Sequence, residues 1–481
     1  MKRHHSTFLV ALAILAPIAH AAGQDAKAQL AASIDARRAD YVAIANQIWS
    51  LAEVGYQEHQ SSKLLQAELT KAGFKVDAGV AGIPTAFVAS YGSGKPVIAI
   101  LAEFDALPGL SQAAEPVRKP VPDRAAGHAC GHHLFGTASV AAGIAVKDWL
   151  ARTGGRGTIR VYGTPAEEGG GGKIYMVRAG LFNDVDVALD WHPGSVNDAG
   201  PGSSLANISG KFRFRGVSAH AAASPWSGRS ALDAVEAMDH MVNMMREHVP
   251  DGTRIHYVIT NGGSAPNVVP DFAEVYYYAR HQDATIVKEV WERFEKAAQG
   301  AALGTGTTVE VEVVNGVYAL LPNETLAKTI DANLRRVGGV SYTPDERSFA
   351  ERIATTLTGA RVDVAEAERV RPFAKSDAGG STDVGDVSWV VPNSGLSTAT
   401  WVPGTPAHSW QAVAAGGMSI GHKGMINAAK TLAMSVHDLM TKPELVTAAR
   451  AEFDRKRGAG FVYAPLIGDR KPPLDYRGPA K

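Results

Sequence analysis

Thr158-Ile159-Arg160-Val161-Tyr162-Gly163-Thr164-Pro165-Ala166-Glu167-Glu168-Gly169-Gly170-Gly171-Gly172 is the stretch on which the reading of the fold turns. Thr158 to Tyr162 is a short strand-like run. A proline, two glutamates and four glycines follow, so the strand stops and the chain turns sharply. Functional groups on open α/β sheets gather at the carboxyl ends of strands. The flanking sequence agrees. Pro96 to Leu101 and Asp186 to Asp190 are further strand-like runs, and Leu134 to Leu150 is a small-residue-rich helix. Ala26 to Val54 and Ser61 to Ala72 read as helices, the second stopped by Gly73. Strands alternating with helices predict an α/β layered domain.

The middle of the chain has another pattern. Lys211 to Val217 alternates polar and apolar residues, Ser230 to Val249 is an amphipathic helix, and Arg254 to Thr260 and Ala273 to His281 are strands. Ala284 to Ala301 is a helix and Thr307 to Val314 a strand, which completes the β-α-β-β-α-β order of a ferredoxin-like domain. α/β material resumes near Leu320, so the small domain is inserted into the large one. The expected division is 1–21 signal peptide, 27–208 first part of the large domain, 209–320 inserted domain, 321–445 second part of the large domain, and 446–481 tail. A helix from Ala407 or Val413 to Thr441 closes the large domain. The tail, rich in Pro, Gly, Lys and Arg from Arg455, is expected on the surface or partly disordered.

A chain of 481 residues is too long for one core, in keeping with two or three domains. Lys+Arg and Asp+Glu balance at 48 each, so overall charge gives no reason to expect nucleic acid or an anionic membrane as partner. Lys2 to His5 form a basic start, Phe8 to Ile18 is apolar, and Ala19-His20-Ala21 suits a signal peptidase. Export to the periplasm or medium is expected, a short membrane anchor being the alternative. No later segment offers about 18 uninterrupted apolar residues, so no membrane is expected for the mature form. Its one cysteine, Cys130, has no partner for an internal disulfide and must be buried, paired between chains or held by a metal.

Cys130 belongs to Gly127-His128-Ala129-Cys130-Gly131-His132-His133. A cysteine and a histidine either side of one glycine can both reach one ion if the backbone turns tightly. Thiolate and imidazole suit zinc, and carboxylates nearby also admit manganese. Of Glu167 and Glu168, one can bind metal while the other takes a proton from a metal-activated water and passes it to a leaving nitrogen. Asp190-Trp191-His192-Pro193 and Gly404-Thr405-Pro406-Ala407-His408 add histidines at predicted strand or loop ends.

These segments together resemble the metallopeptidase family that contains aminoacylase, glutamate carboxypeptidase and the amidohydrolases of indole-acetic acid conjugates. The likeness is strongest to its p-aminobenzoyl-glutamate hydrolase branch. It is carried also by Ala102-Glu103-Phe104-Asp105-Ala106-Leu107-Pro108, Gly163 to Lys173, Ser218-Ala219-His220-Ala221, Asn267-Val268-Val269-Pro270 and Gly380-Ser381-Thr382-Asp383-Val384-Gly385-Asp386. It spans about residues 30 to 440. The resemblance implies a two-metal aminopeptidase-like catalytic domain. Cys130, His132, Glu168, His192 and His408 are the implied ligands of two divalent ions, Zn or Mn. Glu167 is the implied general base, and Asp105 the carboxylate behind a ligand. The inserted domain is implied to act as lid and homodimer contact. His220 is implied to stabilise the oxyanion in the neighbouring subunit's site. Asn267 and Arg280 are implied to hold the substrate carboxylate. The implied reaction is cleavage of the amide of an N-acyl or N-aroyl amino acid, with dipeptidase or carboxypeptidase activity as the alternative. His133 stands where much of this branch has Asp or Asn, as an extra ligand or a donor behind one.

Overall fold

The computed structural model describes residues 15–359, 362–377 and 379–477. Residues 1–14, most of the expected export signal, lie outside them. The first part of the large domain runs α1 (Leu15–Ala36), α2 (Arg38–Leu51), α3 (His59–Lys71), β1 (Lys75–Ala78), β2 (Phe87–Ser93) and β3 (Val97–Ala102). It continues with the small ladder β4 (Leu107–Pro108) and β5 (Ala126–Gly127), then α4 (His132–Thr153), β6 (Gly157–Gly163), α5 (Gly172–Arg178) and β7 (Val187–Gly194). The lid follows as β8 (Ala206–Arg215), α6 (Ala231–Met245), β9 (Arg254–Asn261), β10 (Phe272–His281), α7 (Ala284–Thr305) and β11 (Thr308–Val317). The chain then returns with α8 (Glu324–Val337), α9 (Pro344–Ala354), α10 (Val384–Ser388), β12 (Asn393–Ala399), α11 (Trp410–Gly416), α12 (Ser419–Thr441) and α13 (Pro443–Arg457).

The large sheet has the order β1-β2-β6-β3-β7-β12. β6, β3, β7 and β12 run parallel to one another, while β2 is antiparallel to β6. Four carboxyl ends therefore open on one edge of the sheet. Both faces are covered, as a mostly parallel sheet requires. Along β3, Ile98, Ile100 and Ala102 join the core with α4 and α12, while Val97, Ala99 and Leu101 join the core beneath α5. α4 lies close to the sheet because it carries small residues. A methyl added at Gly143 would meet Val161 Cγ2 at 2.5 Å, and one at Gly136 would meet the Glu103 carbonyl oxygen at 2.7 Å. α4 is apolar and long enough to cross a membrane, but most of it is core of this domain.

The lid sheet has the order β11-β8-β10-β9, antiparallel throughout, with α6 and α7 on one face. Phe212, Phe214, Val275, Tyr277 and Ala279 point into that helical core, beside Met238, Trp291 and Phe294. The alternation that predicts a half-buried sheet thus corresponds to a ferredoxin-like topology. β9 is an edge strand.

Two expected elements differ. The helix predicted over 26–54 is two helices, broken at Arg37, which leaves helical geometry at φ −107° and ψ 12°. The closing helix breaks at Gly416-Gly417, where a methyl on Gly417 would stand 2.7 Å from the Trp49 ring and one on Gly416 2.9 Å from His133. Periodicity sees the continuous apolar stripe and not these close approaches. Among the described residues the tail lies on the surface, one of the two expected alternatives, and is held there. After α13 it runs back over the large domain, where Ile467 is buried and Tyr463, Leu474 and Tyr476 pack against the core beneath α5. Its aromatic and aliphatic residues outweigh its Pro- and Lys-rich composition.

Candidate active site

The open edge of the large sheet is where the ligand-type side chains meet. β3 leads into Glu103 and Asp105, β6 into Glu167 and Glu168, β7 carries His192, and the loop after β12 carries His408. Cys130 and His132 flank Gly131, which sits at φ 76° as the residue preceding α4. A side chain there would strike Pro193 at 2.6 Å, so only glycine lets the two donors approach β7. Two non-glycine residues at this edge also adopt left-handed backbone, Ala166 and His408, each at φ 58°. Strain of this kind persists where surrounding structure fixes it, and it gathers at functional sites.

The donor atoms fall into overlapping groups, each within 4.8 Å. One is Cys130, His132 and His192; a second is Cys130, Glu168 and His408; a third is Glu103, His132 and Glu167. Cys130 Sγ lies 3.5 Å from His192 Nε2, and His408 Nε2 3.2 Å from Glu168 Oε1. Cys130 is common to the first two groups, so its sulfur stands between two potential ion positions.

Asp105 holds this array from behind. Its Oδ1 is 2.9 Å from His132 Nδ1, and its Oδ2 accepts from the Glu168 amide at 2.9 Å. That fixes His132 with Nε2 turned into the cluster, the usual carboxylate–histidine arrangement at a metal. Burial opposes the charge of Asp105, but His132 and the Glu168 amide hold its carboxyl below the ordinary range. His192 Nδ1 bonds to the Pro193 carbonyl at 2.7 Å, leaving Nε2 free for an ion. Burial, and then His132, lower the pKa of His192, favouring the neutral imidazole that a metal requires.

The residues fit divalent metal on an internal criterion. Glu103 Oε2, His132 Nε2 and Glu168 Oε1 are buried and make no hydrogen bond, although the first two lie only 3.0 Å apart. Orphaned buried polar atoms are rare in folded proteins, and cations in the donor groups to which these atoms belong would account for them. Burial, then the charge of Glu168, also push the Cys130 thiol up, so a thiolate there needs a cation beside it.

Glu167 is half-buried and makes no ion pair, unlike its neighbour Glu168. Burial, then Glu103, Glu168 and Asp383, raise its pKa well above the carboxylate range. That shift makes it a stronger base and a competent acid afterwards.

Sequence reasoning gave no role to the array behind Glu167. The fully buried Lys173 donates to Glu103 Oε1 and Asp383 Oδ1, both at 2.7 Å. Burial works against its charge, but Asp383 and Glu103 hold its pKa above the usual lysine range. A lysine inside the apolar run Gly172-Lys173-Ile174-Tyr175-Met176-Val177, directly after the acidic pair, is the signal that could have found it. His133 lies outside the donor groups. Its Nε2 bonds to the Gly416 carbonyl at 3.1 Å, and its ring lies 4.9 Å from that of His128. Burial and then His128 lower its pKa, so it is a neutral histidine of the core and neither an extra ligand nor a support behind one.

The lid residues fare differently. Arg280 Nη1 donates to Ser381 Oγ of the large domain at 3.2 Å, and its guanidinium lies over Tyr278, 5.0 Å from the ring centre. His220 and Asn267 are exposed on neighbouring lid loops. His220 Nδ1 accepts from the amides of Ala222 and Ala223, and the Ala221 amide donates to the Asn267 carbonyl. These contacts stay within the lid, and within one chain they do not join either residue to the donor cluster.

A sheet edge that gathers a thiol, imidazoles and carboxylates around an uncommitted, basic glutamate is the apparatus of a metallohydrolase. Comparison with known proteins gives the family. Residues 206–306, most of the lid, match the family model described as the peptidase dimerisation domain of the M20 group. The chain is 43% identical to a p-aminobenzoyl-glutamate hydrolase subunit of Escherichia coli (strain K12), over 90% of this chain and 96% of that one. It is 31% identical to the Xaa-Arg dipeptidase of Mus musculus, over 89% and 92% respectively. In fold it is similar to an aminobenzoyl-glutamate utilization protein from Klebsiella pneumoniae, with TM-score 0.58, 20% identity, and coverage of 86% of this chain and 98% of that one. A Bacillus subtilis protein described as a dinuclear metal binding peptidase has the same TM-score of 0.58 at 16% identity, covering 85% and 99%. The chain belongs to the M20 peptidase family, hydrolases that act on amide bonds.

Proposed function

We propose that this chain is an exported, two-metal amidohydrolase that cleaves N-acyl or N-aroyl amino acids of the p-aminobenzoyl-glutamate kind. The observation that carries the reading is Glu167: a half-buried carboxylate beside the donor cluster, with its pKa raised and no ion pair of its own. Cys130, His132, Glu168, His192 and His408 would hold two divalent ions, with Cys130 shared; the mixed donor set admits Zn or Mn. When bound, such ions supply Lewis-acid polarisation of the scissile carbonyl and acidify the attacking water.

The rest falls to side chains. Glu167 takes the proton of the attacking water, the step its raised pKa favours, and hands it to the leaving amide nitrogen. Asp105 keeps His132 and the Glu168 peptide in place throughout. Arg280, with Asn267, clamps the carboxylate of the amino-acid half through its planar fork. His220 steadies the developing oxyanion from a second copy of the chain. Support for a homodimer comes from the lid's free edge strand β9 and its exposed apolar residues, among them Trp226, Val258, Ile259 and Val268. Residues 1–21 are assigned to export, placing the mature enzyme in the periplasm or medium.

The full-length likeness to an Xaa-Arg dipeptidase supports a second reading, a dipeptidase using the same groups. Metal analysis joined to a hydrolysis panel of N-acyl amino acids and dipeptides tests both. Metal content near two ions per chain and preference for N-acyl substrates are expected. Glu167→Gln should keep the metal and lose about 10²- to 10⁴-fold in turnover. Cys130→Ala should lose metal as well. Normal rates in both variants would refute these roles, and a preference for dipeptides would select the second reading.

A further inference from the structure

The segment after α13 reaches the candidate site through contacts that lie outside the motifs described above. Glu168 is held at both of its main-chain groups. Its amide donates to Asp105, and its carbonyl accepts from two tail residues, Tyr476 Oη at 3.1 Å and Arg477 Nη2 at 2.7 Å. The turn around it is built on left-handed Ala166, whose carbonyl accepts from the amides of Gly170 and Gly171. That turn spends its internal hydrogen bonds elsewhere and leaves the Glu168 carbonyl to the tail.

The place for Tyr476 is prepared. A methyl on Gly55 would stand 2.3 Å from the Tyr476 hydroxyl. Its ring packs edge-on against Tyr56, with centres 5.6 Å apart. Tyr56 itself sits at φ 64° and donates to the Gly170 carbonyl at 2.7 Å. Gln57 secures the same stretch by donating to the Leu474 carbonyl at 2.7 Å.

The tail also fastens the lid. Arg470 donates to the carbonyls of Val313 and Val314, where β11 slips register against β8. Leu466 packs against the lid core, and a methyl on Gly316 would meet it at 2.8 Å. Tyr463 Oη donates to Asp386 at 2.7 Å, and the Ala464 carbonyl accepts from Tyr318 Oη at 2.9 Å, both beside the junction of lid and large domain. One segment of chain thus touches the lid's last strand, the junction and the turn that presents Glu168.

We propose that residues 461–477 are a strap, and that Tyr476 and Arg477 are positioning residues that fix the peptide of Glu168, with Arg470 tying the same strap to the lid. The proposal rests on the reading of Glu168 as a metal ligand. Groups behind a ligand typically govern metal affinity by 10- to 100-fold. Arginine contributes a charge-assisted bond to the carbonyl that no neutral residue replaces.

The test uses the full chain, stripped of metal and titrated with Zn²⁺ against a competing chelator, beside its Arg477→Ala, Arg477→Lys and Tyr476→Phe/Arg477→Ala variants. The expected result is a loss of about 10- to 100-fold in affinity for one ion of the two in the double variant. Its metal-free melting temperature should be unchanged, kcat should fall and KM should hold. Arg477→Lys, which keeps a charged donor, should recover most of the affinity. A double variant that binds both ions as tightly as the natural chain overturns the proposal. So does an equal loss at both ions that follows a lowered melting temperature, since that marks simple packing. A natural chain that binds no Zn²⁺ at all refutes the metal reading itself, an outcome distinct from either.

Discussion

The two domains present polar residues in opposite ways. On the large domain, four parallel strand ends deliver their donors to one edge, and most donors there have a second group behind them. On the lid, an antiparallel sheet sends its loops outward, and His220 and Asn267 end exposed, bonded only to neighbouring loop backbone. Parallel connectivity converges side chains within a chain, because each crossover returns the next strand end to the same edge. Antiparallel hairpins instead leave loop residues at a rim, where a second surface must meet them before they can act. On the proposed reading, the metal-side groups meet within one chain, whereas His220 and Asn267 need a second surface to reach a site.

The contrast can be broken at its metal side first. Lys173→Met would leave Glu103 and Asp383 buried without their cation. The expected cost is about 3–5 kcal/mol of stability, the usual penalty for removing one partner of a buried ion pair. Urea unfolding of the metal-free protein measures it, and a variant within about 0.5 kcal/mol of the natural chain would show that this side is not held by its buried charges.

The lid side gives the next effect. His220→Ala should lower kcat by about 10²- to 10³-fold while leaving metal content intact. If His220 acts across a dimer, co-expressing His220→Ala chains with Glu167→Gln chains should restore part of the activity, because a mixed dimer contains one complete site. No restoration would place His220 in its own chain's site and erase the difference between the domains.

The junction between the two gives an effect read only through pH. Burial raises the Asp386 carboxyl from 3.8 to about 7, although Tyr463 and the Tyr318 amide bond to it. A carboxyl raised in the folded state contributes stability that is full below its unfolded pKa near 4 and is lost as pH rises through about 7. Asp386→Asn should flatten that decline, by on the order of 4 kcal/mol across the interval. Urea midpoints of chelator-treated protein between about pH 4 and 8 decide it, and parallel curves for both proteins would exclude Asp386 as the source.

Much of this was legible from residues alone. The acidic pair after Tyr162 and the Cys130-Gly131-His132 turn pointed to the sheet edge because strand ends and tight turns are local properties. The lid's alternating strands were equally readable. The role of Lys173 was not, because glycines on its N-terminal side suggest a loop, whereas its partners Glu103 and Asp383 lie 70 and 210 residues away in sequence. His133 drew suspicion by standing where much of the resembled branch has Asp or Asn, yet α4 turns it toward Gly416. Composition left the tail between a surface course and disorder, because it does not show that Tyr463, Ile467 and Tyr476 pack against the large domain.

One asymmetry within the donor set bears on how the enzyme would be handled. His132 is wholly enclosed, whereas the His408 side chain is 54% exposed. Solvent and small chelators thus reach the Glu168–His408 end before the Cys130–His192 end. Dialysis against a chelator should empty the positions in sequence, giving preparations that retain close to one ion per chain and regain full activity on resupply. Storage buffers free of citrate and EDTA follow directly from the exposure of a single imidazole.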